Sequence, residues 1–432
     1  MHLCLFEDAA VAHLHPLTHT RAAFDLRLGG RTVLETARDT FTPDGLVLHT
    51  RPLVAGVTAL EHPDALMHAL PPGADVLFWN GRAIAHPSAS VNEWVQRAGA
   101  SEADGALYQG DALVAAYVSD ASTLPEDLLD GATLDPSAFD ALPSETASDV
   151  RLLSRLWHLL DGLRDTLTLD IDAAAQMHPA SGPLANRPGV SAHPSAIVVK
   201  PDAIVTGSDV TIRPGAILNA EAGPIFLGTN AVVHERAVVK GPCYVGPSAQ
   251  VKVGGDVEGT ALGYYSKVGG EVHGTVVHSL SNKGHAGFLG DSYLGRWCNL
   301  GADTNTSNLK NDYGSVSLYD PAEDAFVHSG RQFLGLVMGD HSKCGINTMF
   351  NTGTVVGVSC NIYDGGFPPR YVPAFSWGSP GAGFTDYRLE KALRVAEAVM
   401  ARRDVALTDA DRRLLATLFQ RTAEARATWH DL

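Results

Sequence analysis

Leu227, Val233, Val239, Val245, Val251 and Val257 recur every six residues. A period of six matches neither the 3.6 of an α-helix nor the alternation of a simple strand. It fits a parallel β-helix of hexapeptides, in which each side of a triangular coil takes six residues. The aliphatic residue must point inward, because each coil has room for one large side chain per face. Ala231, Ala237, Cys243 and Ala249 stand two positions before their aliphatics, where a small residue suits the crowded corner. Glycine follows many of the later aliphatics, from Leu262-Gly263 to Leu300-Gly301. After residue 335 the count resumes with Met338, Cys344, Phe350, Val356 and Ile362. The count leaves the handedness of the coil open.

The repeat is interrupted over residues 303–335, a run too polar for a coil and too long for a turn. This predicts a loop projecting from a rigid scaffold, the usual place for binding residues. Upstream, residues 1–150 read as an α/β domain. MHLCLF and ADVLFWN are short apolar strands, RTVLETARDTF is a helix, and GALYQGDALVAAYV is a hairpin turning at Gly110-Asp111. DVRLLSRLWHLLDGLRDTL predicts a connector helix, and ASGPLANRPG a linker, within residues 151–188. Residues 189–378 are then the β-helix, and 379–432 a helical cap. In that cap Leu389, Leu393, Ala396 and Met400 share one face, and Thr408 with Asp411 starts a further helix carrying Leu414, Leu415 and Leu418. A solenoid without a cap would expose apolar surface.

At 432 residues the chain has length for two or three cores. A formal net charge of -16 argues against a general nucleic-acid binder, yet leaves room for a small anion at a local basic pocket. Five scattered cysteines without a C-x-x-C point to a reducing cytoplasm, and to neither a disulfide frame nor a zinc site. MHLCLFEDAA lacks the basic start of a signal peptide, and no apolar run reaches the roughly 20 residues of a membrane helix.

The densest chemistry lies in Ser281–Gly314, SNKGHAGFLGDSYLGRWCNLGADTNTSNLKNDYG. It holds one histidine, five asparagines, two lysines and six glycines, and so many polar groups need partners or a ligand. His285, between glycines, is the candidate base, since histidine accepts a proton near neutrality. His273, His278, Lys283, Asn299 and Asn308 fall within two or three coils of it. With regular 18-residue coils, Lys267, His285 and Asp303 would form a column. The plainer alternative is a ladder of asparagine and histidine that only satisfies coil edges. In the first domain, Arg21, Arg27 and Arg31 with Gly29-Gly30 suit a loop that approaches an anion, or else a solvated surface loop. No metal-ligand spacing, phosphate loop or nucleophile elbow is present, so no metal ligand is assigned.

The hexads together with GPIFLG, VGGEV, SNKGHAGFLGDSYLG and NLGADTNTSNLKNDYG resemble the family of bifunctional N-acetylglucosamine-1-phosphate uridylyltransferase/glucosamine-1-phosphate N-acetyltransferases (GlmU), in its divergent branch of sugar nucleotidyltransferases. PLTHTRAAFDLRLGGRTVLE resembles a segment of the nucleotidyltransferase half. The resemblance implies an N-terminal nucleotidyltransferase-like domain, then a left-handed parallel β-helix that trimerises with active sites between subunits. It places His285 as catalytic base. Asn299 and Asn308 match asparagines of the acceptor site, and His273, Lys283 and Lys310 join them as substrate-binding residues. Arg21 matches a basic residue near the sugar phosphate or triphosphate, with Arg27 and Arg31 beside it. His273 stands where a lysine is usual, and Phe288 and Leu309 where tyrosines are. The glycine-rich first loop is missing, the strand running instead into Phe6-Glu7-Asp8. Arg82 takes the place of a metal-binding aspartate.

The leading expectation is acetyl-CoA-dependent N-acetylation of an amino sugar phosphate or nucleotide sugar by a cytoplasmic homotrimer. The second is Mg2+-dependent sugar-1-phosphate nucleotidyl transfer by residues 1–150. The third is a non-catalytic solenoid that binds sugar nucleotides.

Overall fold

A computed structural model describes residues 1–85, 89–101, 103–177 and 182–430. It divides into two compact units. One comprises residues 1–26, 31–156 and 409–414, the other residues 27–30, 157–408 and 415–432.

The first unit is built on a seven-stranded mixed sheet. Its parallel part has Leu66–Met67, Gly45–His49, His2–Phe6 and Val76–Asn80 side by side. The near-continuous apolar runs LCLF and VLFW are buried, as strands covered on both faces require. The hairpin Gly105–Gln109/Ala112–Val118 joins antiparallel, turning at Gly110 with φ of 59°. The helix Val33–Phe41 starts in a capping box between Thr32 and Glu35.

The predicted connector helix begins later than its sequence pattern implies. Arg151–Leu152 is a strand against Ala83–Ile84, and the helix runs Leu163–Met177. Gly162, with φ of 59°, ends the irregular stretch before it. Part of the predicted linker is structural, while Ala180 and Ser181 lie outside the described residues. Leu184 plugs the first coil's interior, and the Arg187 guanidinium donates to the carbonyls of Gly182 and Pro201.

The second unit is the β-helix. Successive turns of chain give strands to three stacked sheets, of eleven, six and nine strands, all paired in parallel except Ser376–Ser379 with Gly383–Asp386 at the end of the eleven. The turn Val232–Val233, Val238–Lys240, Cys243–Val245 lies under Gln250–Val251, Asp256–Glu258, Ala261–Leu262, with Val233 on Val251, Val239 on Val257 and Val245 on Leu262. All the inward hexad residues are buried in one continuous core, each worth about 1.5–3 kcal/mol of burial. This is consistent with the left-handed coil that the resemblance implies. The 303–335 segment leaves the coil as expected and folds into the antiparallel hairpin Ser317–Asp320/Ala325–His328. Below and above it, Asn299 still stacks on Lys343.

The regular count of eighteen does not hold through these coils. Gln250 pairs with Lys267, seventeen residues on, Lys267 with Asn282, fifteen on, and Asn282 with Asn299, seventeen on. The expected column of Lys267, His285 and Asp303 therefore does not form. The strands keep their stacking, so the turns between them absorb the missing residues.

One corner repeats a left-handed conformation at Tyr265, Leu280, Trp297, His341 and Phe375, with φ between 56° and 63°. Such conformations cost roughly 1–2 kcal/mol each for residues with a side chain, a cost the stacked coils must outweigh. They turn large side chains outward along one edge. The helix Leu389–Ala401 packs on that edge through Ala392, Ala396 and Met400, against Trp297 and Phe375. Leu415 and Leu418 complete the cap.

Candidate active site on the coil

His285 is exposed, in the turn between the strands Asn282–Lys283 and Phe288–Gly290. Lys283 is two residues before it, at the inward position of its hexad, stacked on Val268. Its side chain is only 1% exposed. The ammonium finds three carbonyls, Gly269 O at 2.9 Å, His285 O at 2.9 Å and Ala286 O at 3.2 Å. A lysine has three donors, so the set is complete. Burial pulls its pKa down to about 8. Lys283 thus grips the turn carrying His285 from inside the coil, and in this arrangement has no donor left for a substrate.

The turn is held from the other side too. Phe288 N donates to Asn305 Oδ1 at 2.9 Å, and Asn305 Nδ2 to Asp303 O at 3.0 Å. Asp303 N donates to Ala286 O at 3.1 Å. His285 is therefore an exposed ring on a backbone fixed at several points.

His273, Phe288, Asn308 and Asp291 form a second group on the next face. His273 pairs in register with Gly290, and its ring meets that of Phe288 edge-on at 6.2 Å. Asn308 Nδ2 donates to Asp291 Oδ2 at 2.7 Å. Burial raises the Asp291 carboxyl above its ordinary pKa, against the lowering effect of that bond. His273 Nε2 is buried without a hydrogen-bond partner. Asn299 is exposed on the eleven-stranded face, between Asn282 and Lys343. Lys310 Nζ donates to Ser315 O at 2.6 Å at the base of the projecting loop, lining a cavity of about 570 Å3 with Ser307, Asn351 and Phe367.

In the first unit, a cavity of about 470 Å3 opens beyond the carboxyl ends of His2–Phe6 and Val76–Asn80, lined by Phe6, Asp8, Arg82, Asp111, Leu113 and Asp135. This is where open parallel sheets receive ligands. Two of its charged groups, Asp8 and Arg82, are already matched to each other. Arg82 Nε donates to Asp8 Oδ1 at 2.7 Å, its Nη2 binds Asp8 Oδ2, and Asn80 Nδ2 donates to the same carboxylate at 2.9 Å. Glu7, fully buried, accepts from Ala23 N, Arg51 N and Arg51 Nε at 2.8–3.0 Å. Mg2+ needs free carboxylate oxygens, and here a guanidinium occupies them. Asp8 is therefore already engaged and would not serve as a ligand to that ion without breaking its pair.

Arg21 is 2% exposed. Arg27, within the second unit, donates through Nε to His278 O at 3.0 Å and through Nη1 to Gly30 O. Arg31 pairs with Asp39 at 3.1 Å. Asp25, Glu61 and His62 bring one ligand atom each within 4.8 Å of one another, but His62 Nε2 already meets Asp25 Oδ1 at 2.8 Å.

Sequence reasoning missed the internal role of Lys283, and with it Asn305 and Asp291. The signal for Lys283 was in the repeat, since it lies six residues from both Val277 and Leu289.

Comparison with known proteins finds likeness to sugar nucleotidyl transferases and to bifunctional nucleotidylyltransferase/acetyltransferases over parts of the chain. Residues 3–178 match the model of the sugar nucleotidyl transferase family. The chain is 40% identical over 78 residues to the bifunctional protein GlmU of Methanocaldococcus jannaschii, 18% of each chain. It is 33% identical over 88 residues to a bifunctional sugar-1-phosphate nucleotidylyltransferase/acetyltransferase of Sulfurisphaera tokodaii, 20% of this chain and 21% of that one. The matched part spans about a fifth of the length of these relatives. The likeness to GlmU-like proteins read from the sequence is thus borne out. Among solved structures, the UDP-N-acetylglucosamine acyltransferase from Campylobacter jejuni aligns over 54% of this chain and 94% of its own, at 15% identity and a TM-score of 0.28. The Arabidopsis UDP-N-acetylglucosamine acyltransferase aligns over 56% and 96%, at 16% identity and a TM-score of 0.22.

Proposed function

We propose that the coil transfers an acetyl group from acetyl-CoA to the amine of an amino sugar phosphate or nucleotide sugar. The observation that carries this reading is an exposed histidine on a turn clamped from within by Lys283. A general base must be reachable by substrate and held in place. The amine nitrogen attacks the thioester carbonyl and the C–N bond forms. His285 takes the proton that the amine loses. The C–S bond then breaks, and the departing thiolate recovers a proton from the imidazolium or from solvent. Backbone N–H groups of the turn would face the oxyanion formed in between. Asn299, Asn308 and His273 would bind the acceptor, His273 through its partnerless Nε2. Lys310 would meet the acceptor from the loop. We read the assembly as a homotrimer, its flat faces completing each site from a neighbour, and the compartment as cytoplasmic, with five buried free cysteines.

The test is thiol release from acetyl-CoA with glucosamine 1-phosphate and related acceptors, for native protein and His285→Ala side by side. The expected loss is about 100- to 10,000-fold, with an unchanged melting temperature because the side chain is exposed. Equal rates would make the histidine structural.

A second reading is favoured by the family match over residues 3–178. It is nucleotidyl transfer in the first unit, with Arg21 and Arg31 meeting phosphate. The closed Asp8–Arg82 pair opposes the Mg2+-dependent form of it. We therefore expect that unit to bind a sugar nucleotide with weak turnover or none. Pyrophosphate release at the roughly 1–1,000 per second of ordinary enzymes, dependent on Mg2+, would overturn this.

A further inference from the structure

On the eleven-stranded face the outward residues stack as Gln250, Lys267, Asn282, Asn299, Lys343 and Asn361. At about 4.8 Å per strand, two lysines bracket two asparagines over roughly 14 Å. The adjoining corner carries Tyr265, Leu280 and Trp297, against which the helix Leu389–Ala401 packs. That helix delivers Arg402 and Arg403 to the same place. Both arginines, with Lys343, Asn282, Asn299 and Trp297, line a cavity of about 230 Å3.

The polar atoms there are not satisfied by one another. Asn282 Oδ1 and Arg403 Nε are buried without a hydrogen-bond partner. The Arg403 guanidinium lies over the Tyr265 ring at 4.7 Å, which fixes its direction. Lys343 Nζ donates to His341 O at 2.8 Å, which leaves two donors. Burial lowers its pKa to about 8. Around Lys267 the charges that register are Arg403, Lys252 and Arg402, all cations. Among the described residues, no carboxylate forms an ion pair with Lys267, Lys343, Arg402 or Arg403. A protein of net charge -16 has acids to spare. Gathering four cations without one is unfavourable unless an anion joins them.

We infer that this cavity is a binding site for a phosphoryl or diphosphate group of a small ligand. Guanidinium forks and ammonium groups converging from two elements suit a tetrahedral, multiply charged anion. The cavity is smaller than the roughly 300–1,000 Å3 of sites that enclose a whole drug-sized ligand. It therefore takes the charged end, with the remainder of the ligand running along the face past Asn299. The site does not rest on the acyl-transfer reading, since an anion binds there whether or not a reaction follows.

The test is calorimetric titration of the full chain with pyrophosphate as probe. Native protein should bind it with an affinity that falls as salt rises. Lys343→Met and Arg403→Gln should each weaken binding at least tenfold. Arg403 follows the end of a surface helix, so Arg403→Gln should fold even if Lys343→Met does not, and thermal melting checks this. Displacement of pyrophosphate by glucosamine 1-phosphate would assign the site to an acceptor phosphate, and displacement by coenzyme A to a donor phosphate. Either result supports the site. Displacement by neither, no binding by native protein, or full affinity in Arg403→Gln would overturn it.

Discussion

The two units handle charge in opposite ways. At the mouth of the N-terminal sheet, the acids after the first strand are each closed by an arginine, Glu7 by Arg51 and Asp8 by Arg82. On the coil, cations and amides face outward, and the deeply buried cation Lys283 is satisfied by backbone carbonyls alone. A closed ion pair holds a loop in shape and leaves little charge for a ligand. An open column has charge available but gains nothing for the fold from it. The contrast supports the acyl-transfer proposal on the coil, although the family match covers the sheet.

The largest test of this contrast concerns the scaffold both readings assume. Leu289→Asp puts a charge between packed aliphatics, where Leu289 stacks on Val272 with no exposure. It should yield no folded protein, read as loss of a cooperative thermal transition. Next comes the closed pair. Asp8→Asn strands a buried guanidinium and should cost about 3–5 kcal/mol of stability, measured by denaturant unfolding. A cost near zero would mean that Asp8 is free to serve a ligand.

Lys283→Met sharpens the other side of the comparison. It should lower the acetyl-transfer rate about tenfold, within the effect expected for a displaced general base, while acceptor KM changes little. It should also change the response to pH. The Lys283 pKa of about 8 lies below its ordinary 10.5, so between those values the unfolded chain holds the extra proton. Native stability then rises with pH across that window through this residue, and its penalty is fully present below pH 8. The difference in stability between native protein and Lys283→Met should grow in favour of native from pH 8 to 10.5. A flat difference would show that burial does not lower the Lys283 pKa. The smallest effect belongs to Lys267→Ala. With no carboxylate partner to lose, stability should stay within about 0.5 kcal/mol, and a larger loss would reveal an internal role.

Much of the second unit was legible because a period of six has one architectural meaning. From Leu227 to Val257 each expected inward residue is inward. Legibility failed where the turns shortened after Val257, since a one-dimensional count cannot tell a shortened corner from a lost phase. The same failure hid Lys283, because polarity outweighed position in reading it as a substrate contact. In the first unit the strands and the helix with its Thr32–Glu35 cap were local signals and survived. The connector helix was misplaced because Arg151–Leu152 found a strand partner far away in sequence, at Ala83–Ile84. Long-range pairing overrides local helical periodicity.

By itself the sequence determined the prism: its six-residue sides, the aliphatics that fill it, the loop that leaves it and the helices that close it. These follow from spacing along one chain, and spacing is what a sequence records. Only the tertiary structure decided which charges meet. Asp8 and Arg82 are 74 residues apart. Lys343 and Arg403 reach one cavity from a coil and from a helix. Coulomb energy depends on distance in space and on burial, and neither is written in the order of residues.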